Sequence, residues 1–384
     1  MKRTLLFFLG FSALAIQAQT VTNKEGSQYE LTKVYDVEAS AVKDQNKSGT
    51  CWSFSTLSFF ESELKRMGKG DFDLSEMTVV RTAYIQKAVK YVRMHGTANF
   101  GPGGAFHDPL NVIRDFGMIP ESAYPNTLSA GAKIDHNELD KVLKSYVDAI
   151  AKSDGEITQQ WILGYNGILD AYLGKQPEKF TYDGKEYTSK TFNDYIGIKP
   201  DDYVDLTSYT HHPFYEKFSL EIPDNWSWDK CYNLPLDDWM NVLEYALSKG
   251  FTAAWGADVS DKGFSHKNAL ALIPESDWDN MSKNDKDSVW IRPCKQRIIT
   301  QDMRQKDFDN FQTTDDHGMQ ITGMYKDQKG TKWFKVKNSW GTGHGNECGG
   351  YFYASENYVR LRTMNFMIHK DGIPQDIKNK LGIK

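Results

Sequence analysis

The sequence predicts an α+β protein of two lobes, helical in its first part and β-rich in its second. Three observations carry that prediction. Apolar residues recur at three- to four-residue spacing through the first 250 positions. Alternation of apolar and polar residues takes over from Phe251 onward. A chain of 384 residues, 40% hydrophobic and 25% charged, also buries more core than one small domain needs. Helical patterns cover 52–67, 75–94, 108–116, 137–151, 157–173 and 236–249, the last stopped by Gly250. Strand patterns cover 251–259, 317–325, 333–338, 351–354 and 363–369, enough for a small sheet or partial barrel. A cleft between two such lobes is a natural place for a peptide.

The first helical pattern begins at a cysteine. In Asp44-Gln45-Asn46-Lys47-Ser48-Gly49-Thr50-Cys51-Trp52, a loop passes into a helix whose apolar face is Phe54, Leu57, Phe60, Leu64 and Met67. Lys65 and Arg66 occupy its last turn and Gly68 stops it. Cys51 is thereby placed at the positive end of the helix, where unpaired N–H groups favour the reactive thiolate. A lone cysteine at such a position is by default a buried core residue. A nucleophile needs a base, and a base needs a group that holds its ring.

Both stand in the second half. Asp315-Asp316-His317-Gly318-Met319-Gln320 and Lys332-Trp333-Phe334-Lys335-Val336-Lys337-Asn338-Ser339-Trp340-Gly341 read as two strands joined by a turn at Asp327 to Gly330, a pairing that brings His317 to Asn338. Asn338 then orients the His317 imidazole while staying neutral. Gln45, six residues before Cys51, offers a side-chain N–H beside the Cys51 backbone N–H for an oxyanion. Trp340 shields the His317–Asn338 bond from water. Asp316, next along the strand, faces away from His317 if the strand is regular.

Gln45, Gly49, Cys51-Trp52, Asp316-His317-Gly318 and Asn338-Ser339-Trp340-Gly341 resemble the papain superfamily of cysteine peptidases, in the order that superfamily uses. Two departures are plain. Ser48 stands where the papain signature has its first cysteine. His317 lies 266 positions after Cys51, about 120 more than that signature's spacing. A large insertion is implied, and with it the bleomycin hydrolase and aminopeptidase C branch. Phe72-Asp73-Leu74-Ser75-Glu76, Gly103-Gly104, Gly117-Met118-Ile119-Pro120 and Ala254-Trp255-Gly256-Ala257-Asp258-Val259 resemble that branch too. The resemblance implies a papain-like two-lobed fold: a helical lobe at about 35–127, a helical insertion at about 128–233, a small β-barrel-like lobe at about 234–370, and a tail at 371–384.

The same resemblance implies thiol-dependent peptide hydrolysis through an acyl-enzyme. Cys51 attacks, His317 moves the proton, Asn338 orients His317, and Gln45 stabilises the oxyanion. Gly103 and Gly104 resemble the segment whose bare backbone pairs with an extended substrate. In the branch the chain's own C-terminus meets the substrate's free amino group, which makes an aminopeptidase and assigns that role to Lys384. The tail here is short and ends on a cation, so an endopeptidase is the alternative. A catalytically inactive peptide-binding protein on the same fold is the reading from another class. The resemblance also implies a homo-oligomer, a hexamer.

Lys2-Arg3, an apolar run from Leu5 to Ile16 and Ala18 read as an export signal at 1–18, with 19–384 a periplasmic or secreted peptidase. No other apolar run is long enough to span a membrane. The net charge of −5, about −7 without Lys2 and Arg3, is a poor match to nucleic acid. Cys231, Cys294 and Cys348 allow at most one disulfide beside a free Cys51, and an exported thiol enzyme then needs reductant. No cofactor or metal is expected, since the adjacent His211-His212 and the Asp277-x-Asp279 pair lack ligand spacing. The charge run 283–287 and Asp258 read as loop residues.

Overall fold

The computed structural model describes residues 20–129 and 131–384, so the leader expected at 1–18 lies outside the described residues. Its helices are α1 Cys51–Arg66, α2 Glu76–Arg93, α3 His107–Phe116, α4 Asn137–Ala151, α5 Gln160–Leu173, α6 Ser189–Ile196, α7 Leu236–Ser248, α8 Lys283–Ser288, α9 Gln301–Asp309, α10 Glu356–Arg362 and α11 Gln375–Leu381. Its strands are β1 Thr20–Val21, β2 Leu31–Asp36, β3 Phe180–Tyr182, β4 Lys185–Tyr187, β5 Tyr203–Thr207, β6 Lys217–Ser219, β7 Lys230–Asn233, β8 Ala253–Ala257, β9 Phe264–Ser265, β10 Leu270–Ala271, β11 His317–Lys326, β12 Lys332–Lys337, β13 Tyr351–Ser355 and β14 Thr363–His369.

One sheet dominates, in the order β6-β7-β5-β14-β8-β11-β12-β13-β10-β9, with β2 laid on β11 and β1 on β2. Among the described residues it is open and does not close into a barrel. The reason lies in the insertion. The segment 128–233 carries α4, α5 and α6 as expected, but also β5 and β7, which extend the sheet beyond β14. These strands are only four or five residues long, too short for alternation to stand out from sequence. The run expected as a loop at 283–287 is instead the helix α8, capped by Ser282, whose Oγ accepts from Asp285 N at 3.2 Å.

Two main cores flank α1. The first gathers Phe59, Phe60, Met77, Val80, Leu139 and Phe192 from the helical lobe and insertion. The second gathers Trp239, Trp255, Phe334, Phe366 and Ile377 around the sheet. Because α1 stands between them, it is buried on almost every side, polar residues included. Those polar residues make a satisfied seam against the sheet. Ser58 Oγ donates to Gln320 Oε1 at 2.6 Å, and Gln320 Nε2 donates to Ser62 Oγ at 2.8 Å and Thr252 Oγ1 at 3.1 Å. Lys337 Nζ donates to Ser58 Oγ at 2.6 Å and Ser40 Oγ at 2.9 Å. Hydrogen bonds are directional where apolar packing is not, so this seam fixes the position of β11 along α1.

A glycine then closes the remaining distance. A Cβ at Gly318 would lie 2.7 Å from Ser55 Oγ and 3.3 Å from the Cys51 carbonyl carbon. Only a residue without a side chain lets the strand that carries His317 approach the first turn of α1.

Candidate active site

The loop before α1 is shaped for close approach. Gly49 has φ +65°, and a Cβ there would sit 2.8 Å from Pro102 Cβ. Ser48, in place of the signature cysteine, is fully buried and accepts from Thr50 Oγ1 at 2.7 Å. The Thr50 hydroxyl is thereby diverted from capping the helix. Among the described residues the backbone N–H groups of Cys51 and Trp52 donate to no backbone carbonyl, the usual state of a helix start. Both lower the thiol's proton affinity, as does the backbone of Gly318, yet burial outweighs them and pushes the Cys51 thiol up to about 11. The helix start therefore acts against desolvation at Cys51. In the closed cleft desolvation favours the neutral thiol, and ionisation requires a partner.

That partner shares the cleft. Cys51, Trp52, Gly104, Asp224, Asp316 and His317 are among its lining residues. Antiparallel β11 and β12 pair Gln320 with Lys337, which brings His317 Nε2 to 2.7 Å from Asn338 Oδ1. The backbone N–H of Ser339 also donates to Asn338 Oδ1, at 2.8 Å. Asn338 Nδ2 faces His266 Nδ1 at 3.5 Å. An oxygen that accepts from Ser339 makes His317 Nε2 the protonated nitrogen, and leaves the lone pair on Nδ1. Burial pushes the imidazole down to about 4, with the Asn338 bond opposing and His266 adding to the shift. Trp340 stacks on the ring at 4.7 Å between centroids and 30° between planes.

Gln45 joins the same network from the other lobe. Its backbone N–H donates to Ser339 O at 2.8 Å, and its Oε1 accepts from Ser339 Oγ at 2.6 Å. With Oε1 engaged, the amide nitrogen is the free end of Gln45. Ser339 thus serves both Gln45 and Asn338, a role that sequence reading does not assign to it. We expect Gln45→Ala to lower kcat by about 10²–10³ with little change in KM, the loss typical of removing one oxyanion donor, as steady-state kinetics would show.

Other expected residues separate. Gly104 lines the cleft, and a Cβ there would meet the Trp52 ring at 2.8 Å. Gly103 is already engaged: its carbonyl accepts from the buried Lys87 ammonium, which also donates to Gly101 O at 2.7 Å. Lys384 does not lie in the Cys51 cleft. It lines a different one, with His107, Arg114, Asp201 and Lys370. The cause is α11, which follows Pro374 and docks Ile377 and Leu381 into the second core, setting the tail's course. Asp316 accepts from Ser260 N at 2.9 Å, and Asp258 from Ser260 and Thr314, so both also brace loops. His211 and His212 both meet Glu221, at 3.1 and 2.7 Å. That trio brings its ligand-type atoms within 4.8 Å of one another, and sequence spacing alone conceals it. All four cysteines are free.

A family model described as the Peptidase C1-like family matches residues 12–383. The chain is similar to Aminopeptidase C of Lactobacillus helveticus, 25% identical over 92% of this chain and 85% of that one. It is similar to Aminopeptidase C of Listeria monocytogenes at 23% identity, over 89% of this chain and 83% of the relative. Among solved structures, PepW from Lactobacillus rhamnosis superposes with a TM-score of 0.70 at 21% identity, covering 91% of this chain and 84% of that chain. No helix among the described residues is long and apolar enough to cross a membrane.

Proposed function

The chain belongs to the Peptidase C1-like family, and from that premise we propose that it is a thiol-dependent aminopeptidase whose reaction runs through an acyl-enzyme on Cys51. The fold is papain-like and the enzyme is a cysteine peptidase of the aminopeptidase C kind. The observation that supports this assignment of the site is the relay from Gln45 through Ser339 and Asn338 to His317, which lines the cleft that holds Cys51.

The chemistry follows from the two neutral partners. The lone pair on His317 Nδ1 takes the thiol proton as sulfur attacks the substrate carbonyl, and the imidazolium gains from the Nε2–H bond to Asn338. Charge developing on the carbonyl oxygen meets the Cys51 N–H and the Gln45 amide. The proton then goes to the leaving amine, which departs. Water then gives a proton to His317 as its oxygen attacks the thioester, the C–S bond breaks to release the peptide's first residue as an acid, and the His317 proton returns to the Cys51 sulfur. Trp340 over the ring keeps bulk water from competing for the Nε2–H.

A peptide with a free N-terminus is expected to be cleaved at least about tenfold faster, as kcat/KM, than its N-acetylated form. Liquid chromatography of products from both substrates, with reductant present, tests this. Equal rates would sink the aminopeptidase reading in favour of an endopeptidase. The leader-like residues 1–18 support an exported enzyme, whose Cys51 then depends on external reductant to stay active.

A further inference from the structure

An aminopeptidase needs a group that recognises the substrate's ammonium, and Lys384 does not lie in the Cys51 cleft. Another carboxylate does line it. The insertion returns toward the sheet through Ile222-Pro223-Asp224-Asn225-Trp226, and Ile222 and Asp224 line the cleft with Cys51, Gly104 and His317. This loop is held from three sides. Asp224 N donates to Asp315 Oδ2 at 3.0 Å, Asn225 Nδ2 donates to Leu220 O at 3.0 Å, and Trp226 Nε1 donates to Asp108 Oδ2 at 2.8 Å.

Gly103 is shaped to that carboxylate. A Cβ at Gly103 would fall 2.1 and 2.2 Å from the two Asp224 carboxylate oxygens, so any other residue would displace them. Its φ is not in the left-handed region, and room for Asp224 is therefore the reason for glycine here. The carboxylate itself accepts no hydrogen bond from the described residues, and its backbone anchors it facing the space beside Cys51.

We infer that Asp224 is the specificity residue that receives the substrate's protonated α-amino group and closes the cleft beyond the first residue. The inference rests on the aminopeptidase reading above and supplies the recognition that reading lacks. A positively charged amine suits the site, because Asp315 and Asp316 line the same cleft and Asp108 lies close by. Burial first, then Asp315 and Asp108, push the Asp224 carboxyl up to about 7, with Lys87 opposing. An arriving ammonium offsets that repulsion and holds the carboxylate ionised.

The test compares wild type, Asp224→Asn, Asp224→Glu and a chain ending at Leu381, each assayed in reductant on one peptide in free and N-acetylated forms. Alkylation of Cys51 by a neutral epoxide reports the integrity of each variant's site. The wild type is expected to prefer the free peptide. Asp224→Asn is expected to lower that preference at least about tenfold, through a raised KM for the free peptide, with Asp224→Glu restoring part of it. The shortened chain is expected to keep the preference.

A second readout checks that the carboxylate is strained and not merely structural. Its folded-state value lies above the unfolded one near 3.9, so its contribution to stability is present at low pH and lost as pH rises toward 7. Asp224→Asn should therefore gain in Tm over wild type, and the gain should grow between pH 4 and pH 8. An undiminished preference in Asp224→Asn, or its loss in the shortened chain, overturns the inference and leaves the aminopeptidase intact. A wild type indifferent to acetylation overturns both.

Discussion

Replacing Cys51 with alanine is expected to reduce peptide hydrolysis by about 10⁴-fold or more, to the background left by binding and oxyanion contacts. The loss should appear in kcat, with the folded protein otherwise preserved. Cys51 is partly exposed to the cleft, and its side chain fills none of the two main cores. A single-turnover burst of the first product in wild type, absent in Cys51→Ala, measures the acyl-enzyme directly. Retention of more than about one part in a hundred of wild-type kcat would show that another group attacks.

His317→Ala carries the second large effect, and its pH dependence is the more informative part. Without an imidazole the thiol must ionise on its own against a value pushed up to about 11 by burial. At pH 7 about one thiol in 10⁴ is then ionised, and with no imidazole to take its proton epoxide alkylation of Cys51 should be markedly slower than in wild type. The rate should then climb tenfold per pH unit up to about 11. In wild type the imidazole, pushed down to about 4, stays neutral and able to accept a proton throughout the neutral range, so the acid limb should fall near 4. The same group affects stability with a definite sign. Its folded value lies below the unfolded one near 6.5, so the neutral ring's contribution is present above 6.5 and lost as pH falls toward 4. A His317→Ala variant with wild-type alkylation kinetics would remove His317 from the mechanism.

The helices that matter most are legible because each is long and periodic. α4 spans the predicted 137–151 without change, and α1, α2 and α7 differ from the expected bounds by one or two residues. The pairing of β11 with β12 is legible for a related reason, since a tight turn at Asp327 to Gly330 starts it. A bulge between Ile321 and Gly323 then shifts the register by one residue before the strands bring His317 beside Asn338. The strands β5 and β7 are not legible in this way. They are short, and β5 pairs with β14 more than a hundred residues away while β7 pairs with β5 across a loop. So the expected small sheet or partial barrel is a larger open sheet among the described residues. Ser339 and His266 meet the side-chain amides of Gln45 and Asn338 through single hydrogen bonds, which leave no periodic trace.

Local chemistry, then, decides which groups react. A helix start at Cys51, a hairpin that joins His317 to Asn338, and Gln45 six residues upstream are short-range features, written into neighbouring residues. The identity of the carboxylate at the mouth is not short-range. The tail's end follows from where α11 buries Ile377 and Leu381, and Asp224 reaches Gly103 only because the insertion returns across the first lobe. The ionisation of the thiol also depends on the whole fold, since desolvation opposes what a helix N-terminus alone would favour. Desolvation and long-range packing depend on the whole fold, and no window of sequence contains them.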